Sequence, residues 1–253
     1  MKTIQITVIA LVLALSTYTN AQQDLSQFNA VSGVYITSYW GDVNVKGVDS
    51  KNEFNITATY TNTSKKAKTL KDVTGYLTFE VKNKKLFISA RAPKGFESID
   101  MAINLPNHLF LEIELIKGGN IYASNVKNGV EINSLNGSVK LDRIGKYALV
   151  NAANGEINAS FSKLNNSYPI SLVTMNGGVT ATLPKASQRD LRLISRKNGY
   201  VETDFTLSSD KPIINLNVKD YSKHPIINTA TINGGGSLLF LSTENGPIAI
   251  KKS

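Results

Sequence analysis

The chain contains no cysteine. That excludes disulfide staples, thiolate metal centres, a cysteine nucleophile and a lipid-modified cysteine at an export cleavage site. Histidine is nearly absent too. His108 and His224 each stand by a proline-containing, loop-like stretch and read as solvated loop residues, so no spaced histidine set for a metal or a general base is present. There is no Gly-x-Ser-x-Gly elbow and no glycine-rich phosphate loop opening a helix. Gly234-Gly235-Gly236 follows a strand but leads into another strand, which makes it a turn or a cap. No amphipathic helix, linker or low-complexity segment interrupts the chain, and one domain is the simplest organisation. No catalytic residue, metal ligand or cofactor is predicted.

Long apolar runs are also missing, with one short exception at the N-terminus. Lys2 precedes an apolar stretch from Ile4 to Leu15, followed by small and polar residues ending at Ala21. This pattern predicts a secretory signal peptide over residues 1–21, because the run is shorter than the ~20 residues a membrane span needs. The longest later run, Leu109 to Ile116, is broken by Glu112 and Glu114, so no span is expected after signal removal. The formal charge is +9, from 28 basic and 19 acidic residues. Removing the signal takes away Lys2 alone, which leaves 27 against 19, or +8. An exported basic surface favours anionic polysaccharides or acidic envelope components. The charge would also suit nucleic acid, but no nucleic-acid-binding motif is present. The plainer alternative is that the lysines keep a β-rich surface soluble and guard its edges.

What the sequence does have is a recurring glycine. Gly119, Gly137, Gly155, Gly177 and Gly199 are spaced by 18, 18, 22 and 22 residues, a period that calls for a repeat architecture. Two residues after each stands Ile121, Val139, Ile157, Val179 or Val201. Four after stand Ala123, Leu141, Ala159, Ala181 and Thr203, and six after the last three stand Phe161, Leu183 and Phe205. Offsets of two place these on one face of a strand. Five before the glycine stand Ile132, Val150, Leu172 and Ile194, with Glu114 breaking the series. Asn136, Asn154, Asn176 and Asn198 immediately precede their glycines, and Gly118 does so in the first unit. Each unit thus reads as strand, Asn-Gly corner, strand, since both residues tolerate positive φ. A meander of antiparallel hairpins competes, because Asn-Gly is also the strongest short hairpin signal. The near-constant long interval favours a parallel β-solenoid, in which equal offsets stack and the asparagines hydrogen-bond along the corner.

The unit recurs around Gly41, with Ile36 five before and Val43 and Val45 after. Between about residues 50 and 92 the chain makes a β excursion. Phe54–Thr61, Tyr76–Val81 and Leu86–Ala90 alternate as strands, and Lys65–Lys68 forms a basic loop. After Phe205 the register loosens; loops at 210–212 and 221–225 precede a last strand at Leu238–Leu241, as expected of an irregular cap. Residues 22–253 are therefore taken as one all-β solenoid domain.

The run Gly119-Asn-Ile, Asn136-Gly-Ser-Val, Asn154-Gly-Glu-Ile, Asn176-Gly-Gly-Val, Asn198-Gly-Tyr-Val is similar to the Gly-x-Ile/Val repeats of the DUF4097 adhesin family. Ile103-Asn-Leu-Pro, Asn233-Gly-Gly-Gly and Leu241-Ser-Thr-Glu-Asn-Gly-Pro-Ile extend the resemblance over Val34 to Lys252. It implies a right-handed β-helix-like solenoid of the bacterial cell envelope, located in the periplasm or on the surface, and brings no catalytic motif.

A polysaccharide lyase or glycosidase is the enzyme alternative, because either chemistry can sit on a β-helix. A glycosidase needs two facing carboxylates. Asp142 and Asp204, each five after a corner glycine, fall several units apart, and the other acids read as scattered. The expected function is non-catalytic binding of an anionic glycan or another envelope component; a structural envelope protein with a protein partner is the third reading. Candidate ligand residues are the corner aromatics Tyr39, Trp40 and Tyr200 and a basic stripe of Arg189, Arg192, Arg196 and Lys197, with Arg192 and Arg196 on one strand face.

Overall fold

The computed structural model describes residues 22–28, 30–50, 53–62, 74–92, 97–164, 167–214, 216–217 and 224–253. The expected signal peptide and the basic loop at 65–68 lie outside them, as do residues 221–223 of the second late loop. Among the described residues there is no α-helix. The strands are β1 (Gln22–Asp24), β2 (Gly33–Trp40), β3 (Val43–Val48), β4 (Asn55–Asn62), β5 (Leu77–Lys82), β6 (Lys85–Ala90) and β7 (Glu97–Pro106). Then follow β8 (Phe110–Gly118), β9 (Ile121–Ser124), β10 (Val130–Asn136), β11 (Val139–Ile144), β12 (Ala148–Asn154), β13 (Ile157–Phe161) and β14 (Ile170–Asn176). The last are β15 (Val179–Leu183), β16 (Arg189–Lys197), β17 (Val201–Thr203), β18 (Leu207–Ser208), β19 (Ile226–Ile232), β20 (Leu238–Asn245) and β21 (Ile248–Lys252).

These strands make two large mixed sheets. One has ten strands in the order β1-β4-β7-β3-β9-β11-β13-β15-β21-β17, and the other has eleven, β18-β19-β16-β20-β14-β12-β10-β8-β2-β6-β5. Each Asn-Gly corner joins a strand of the eleven-stranded sheet to a strand of the ten-stranded one. β10 pairs in parallel with β12, and β11 with β13, so the corner at Asn136-Gly137 is not a hairpin turn. The long period decides between the two readings of Asn-Gly: its strands pair with the next unit, not with each other.

The repeat offsets turn inward as read. Val139, Ile157 and Val179 are in register and fully buried, as are Ile113, Ile132, Val150 and Leu172 within 2%. Inward residues of both sheets form a single apolar cluster. Glu114 breaks the series because β8 carries an extra residue before its corner. Ser38 pairs with Leu115 and Trp40 with Gly118, so Tyr39 of β2 opposes both Ile116 and Lys117 of β8, and Glu114 turns outward.

Spatial order departs from chain order at both ends. β6 and β7 lie in register outside β2 and β3, so the last strand of the segment read as an excursion, with the strand after it, supplies part of the stack. At the other end β20 and β21 slot between β14–β15 and β16–β17, although the sequence suggested a terminal cap. Antiparallel strands flank the stack: β4 and β1 beyond β7, β5 beyond β6, and β19 and β18 beyond β16.

The corners explain the glycines. Gly41, Gly119, Gly137, Gly155, Gly177 and Gly246 have φ between 109° and 146°, backbone that side chains rarely adopt. A Cβ on Gly155 would lie 2.2 Å from the carbonyl oxygen of Gly137, and one on Gly177 would lie 2.3 Å from that of Gly155. The same overlap runs along the column, ending at Gly41 on the Ile99 carbonyl. Beside it, Asn154 Nδ2 donates to Asn136 Oδ1 at 2.9 Å, Asn176 to Asn154 at 2.7 Å and Asn245 to Asn176 at 2.8 Å. On the inner side Thr174 and Thr243 donate to the carbonyls of Gly155 and Gly177 at 3.0 and 2.8 Å.

The fifth predicted corner departs from the others. Gly199 lacks the positive φ, which Asn198 takes instead at 51°. Lys197, not Asn198, pairs with Asn245, so β16 is one residue out of the expected register. Leu193 consequently faces the core where Ile194 was expected, in register with Leu241. The fourth rung of the asparagine ladder is Asn245.

Gly155→Ala is expected to destabilise the protein by roughly 2–4 kcal/mol through overlap and forbidden backbone, or about 5–15 °C in Tm. Gly75, where a Cβ meets nothing within 4 Å, is the control. Calorimetry of Gly155→Ala and Gly75→Ala checks this; equal Tm values would show that the corner column relaxes freely.

Candidate functional site

In-register stacking converts each strand offset into a row on the surface. The row holding Tyr39 of β2 continues through Leu135, Ala153, Met175 and Glu244 to Arg196 of β16. Tyr39 and Trp40 are thus separated from Arg192 and Arg196 by six strand spacings, about 29 Å at ~4.8 Å each. The structure sets them on one face, at opposite ends, and not in one pocket. Lys117 Nζ lies 4.2 Å from the Trp40 ring centroid and 5.9 Å from that of Tyr39, so a cation already covers the indole. Arg192 lies 5.7 Å from the Phe240 ring centroid. Arg196 Nε meets Glu244 at 3.2 Å and Lys197 Nζ meets it at 4.0 Å, an exposed pairing of small energetic weight. Tyr200 stands at the corner before β17, where its carbonyl accepts from the Ile248 N–H at 2.9 Å.

Arg189 does not belong to the basic stripe. It faces inward with Leu191 and Leu193, is completely buried, and donates from Nη1 to the Tyr168 carbonyl at 2.7 Å. Burial lowers its pKa from the ordinary guanidinium value. The strand alternation that puts Arg192 outside puts Leu191 inside, and Arg189, two residues earlier, with it.

The carboxylates are less scattered than the sequence suggested. Glu112 and Glu131 are direct register partners on β8 and β10, and Glu114 follows on the same outer face. Lys85 meets Glu112 at 3.3 Å, Tyr147 donates to Glu131 at 3.2 Å, and Tyr35 donates to Glu114. The extra residue in β8 hid this cluster, because it shifts Glu112 away from the offset that Glu131 occupies. Tyr147 packs over Gly129, whose missing Cβ would lie 2.2 Å from the ring, and against Tyr168 at 5.6 Å between centroids. Burial first, and Glu131 second, push the Tyr147 hydroxyl up to about 12. Tyr35 is raised for the same reasons, burial foremost and then the bond to Glu114. By contrast Asp142 on β11 is four strand spacings from β17, which Asp204 follows, or about 19 Å, so those two do not face each other. Among the described residues no group of three or more potential metal-ligating side chains is assembled.

Two outer faces remain as candidate surfaces. On the ten-stranded sheet Asn44, Tyr122, Lys140, Asn158 and Thr180 form one register row, with Lys46, Asp142, Ser160, Thr182 and Lys251 beside it. Lys140 Nζ lies 5.7 Å from the Tyr122 ring centroid, while Lys251 is bonded to Glu202. On the eleven-stranded sheet a shallow groove of about 380 Å³ runs between Glu114, Asn133 and Asn151 on one side and Ile116, Leu135 and Met175 on the other.

No protein-family model matches the sequence, and no curated protein is significantly similar to it. Among solved structures, that of a "putative cell adhesion protein" from Clostridium sporogenes is similar at a TM-score of 0.55 and 15% identity, over 93% of this chain and 99% of that one. A "putative adhesin" from Bacteroides fragilis is similar at a TM-score of 0.44 and 12% identity, over 94% and 98% of the two chains. The first likeness extends over nearly the whole of both chains and is one of fold. No helix among the described residues is long and apolar enough to cross a membrane.

The raised Tyr147 pKa has a sign that can be measured. A hydroxyl whose folded pKa exceeds the unfolded value near ~10 gives stability that is whole below that pH and lost as pH rises toward about 12. The denaturation midpoint should therefore fall across this window, and less so in Tyr147→Phe. Ultraviolet titration should show a late tyrosine that the variant lacks; an unchanged titration in the variant would assign the late group elsewhere.

Proposed function

We propose that this chain is an exported, non-catalytic β-solenoid of the adhesin kind, with residues 1–21 as its export signal and an anionic envelope or host polysaccharide as its ligand. The observation that carries the reading is the outer face of the ten-stranded sheet. There, amide, hydroxyl and lysine side chains recur in register over successive strands, from Asn44 and Lys46 to Thr180 and Thr182. Such rows repeat every ~4.8 Å and suit an extended polymer with repeating hydroxyl and acid groups better than a compact small molecule. The basic charge, +8 without residues 1–21, and the likeness to the "putative cell adhesion protein" support the same reading. So does the resemblance of the corner repeats to DUF4097 proteins, whose solenoid is right-handed.

The glycosidase alternative draws on one feature, the adjacent Glu112 and Glu131. Both are committed to Lys85 and Tyr147, and they stand on an open face instead of flanking a cleft.

The purified protein is to be tested on neutral and acidic polysaccharides at low and moderate salt, with the same mixtures assayed for chain cleavage. Binding to acidic polymers that weakens with salt and without cleavage is expected. Lys46→Glu with Lys140→Glu should weaken it at least fivefold, about 1 kcal/mol. Binding that ignores both salt and this double substitution would remove the ten-stranded face from the reading. Cleavage abolished by Glu131→Gln would replace it with the glycosidase.

A further inference from the structure

On the outer face of the ten-stranded sheet, from β3 to β21, Tyr122 on β9 is the one aromatic among the outward side chains. It stands between two lysines. β3 and β11 pair with β9 on either side, and they carry Lys46 and Lys140. Both lysines and Asn44 are exposed, while Tyr122 among them is half-buried. Lys140 Nζ is 5.7 Å from the Tyr122 ring centroid, near the outer limit of ~6 Å for such an attraction, whereas Lys117 lies 4.2 Å from that of Trp40. The indole is thus taken by its cation at contact distance and the phenol is not. Two carboxylates adjoin, and both are bonded. Asp42 accepts from the Asn120 N–H at 2.7 Å, and Asp142 accepts from the Ser160 hydroxyl at 2.9 Å and meets Arg143 at 2.6 Å. Among the described residues neither Lys46 nor Lys140 forms an ion pair with a carboxylate.

We propose that β3, β9 and β11 form a subsite for three consecutive sugar rings, uronate, neutral and uronate, of a polysaccharide whose acid falls on every second sugar. The inference rests on the anionic-polysaccharide reading and narrows its ligand. A chain of linked pyranoses laid along the stack advances by nearly one strand spacing, ~4.8 Å, per ring. Three rings then lie over the three strands. The middle ring meets Tyr122, whose negative π face attracts the weakly positive C–H face of a sugar. The rings on either side bring their carboxylates to Lys46 and Lys140, whose strands are two spacings apart, about 10 Å. Cations on the first and third strands with an aromatic on the second follow the order of an alternating chain, and not of one charged at every ring. Beyond β11 the row continues as Asn158 and Thr180, with Ser160 and Thr182 beside them. These are uncharged partners for sugar hydroxyls, so the reading of charge is confined to β3 through β11.

Hyaluronan, which alternates a uronate with a neutral acetamido sugar, is the probe. Polygalacturonate, acidic at every ring, and inorganic polyphosphate, which has no ring, are the comparisons. At moderate salt the wild type is expected to bind hyaluronan more tightly than polygalacturonate, although the latter is the more densely charged. Tyr122→Leu, which keeps the bulk and removes the π face, should weaken hyaluronan binding by about fivefold or more. It should leave polyphosphate binding and Tm unchanged, and Tyr122→Phe should retain hyaluronan binding. Hyaluronan binding indifferent to Tyr122→Leu, an equal loss of polyphosphate binding, or a preference for polygalacturonate would each overturn the inference. A wild type that binds polygalacturonate and ignores hyaluronan overturns this inference alone; one that binds no acidic polysaccharide overturns the wider reading with it.

Discussion

Every other feature of the molecule depends on how closely one corner approaches the next. The carbonyl of each corner glycine occupies the space where a Cβ on the following corner would be. That contact fixes the rise from unit to unit, and the rise then allows the asparagine amides to reach one another at 2.7–2.9 Å. It also brings Thr174 and Thr243 within reach of the glycine carbonyls from inside. The corner is therefore polar and satisfied on both sides of a backbone that has no room for side chains. Each amide bond on the exposed side contributes up to about 1 kcal/mol. The steric constraint is of another kind, since a single added methyl must displace backbone. It ends where the stack ends: Ile99 takes the glycine's place in the outermost unit, and beyond it β4 runs straight past with no corner.

This constraint accounts for what the sequence disclosed and what it concealed. A glycine that admits no substitute leaves a mark at a fixed interval, and the inward β-branched residues follow from it by counting in twos. Parallel pairing followed from the length of the interval. The concealed parts are those where counting fails. One extra residue in β8 moved Glu114 outward and separated Glu112 from the offset of its neighbour Glu131. One extra residue in β16 exchanged Ile194 for Leu193 in the core. The spatial order could not be read at all, because nothing local distinguishes β20 following β16 from β20 lying inside it. Leu239 and Leu241 suit either position; only the pairing of Asn245 with Asn176 on one side and Lys197 on the other settles it.

The candidate site was less legible than the fold for a related reason. Aromatic and basic residues near corners drew attention to Tyr39, Trp40, Arg192 and Arg196, yet position in a repeat says which row a residue joins and not how far along the row it stands. The five strands stacked between β2 and β16 place these residues about 29 Å apart by strand count. Arg189 shows the complementary error. Charge suggested an outer face, while strand alternation together with Leu191 and Leu193 demanded an inner one, and alternation won.

Net charge is a weak guide to a molecule built in this way. Parallel, in-register stacking repeats whatever chemistry an offset carries, so recognition depends on the composition of a row and not on the sum over the chain. Of the basic side chains, Lys85, Arg196, Lys197 and Lys251 face carboxylates, Lys117 and Lys140 lie over aromatic rings, and Arg189 is buried. The two outer faces differ in character. One is hydroxyl- and amide-rich, with lysines on β3, β11 and β21. The other carries carboxylates beside exposed apolar side chains on β8 and β10, Met175 on β14 and arginines on β16. The polymer proposed as ligand has groups that repeat along its length, as the rows of the first face do.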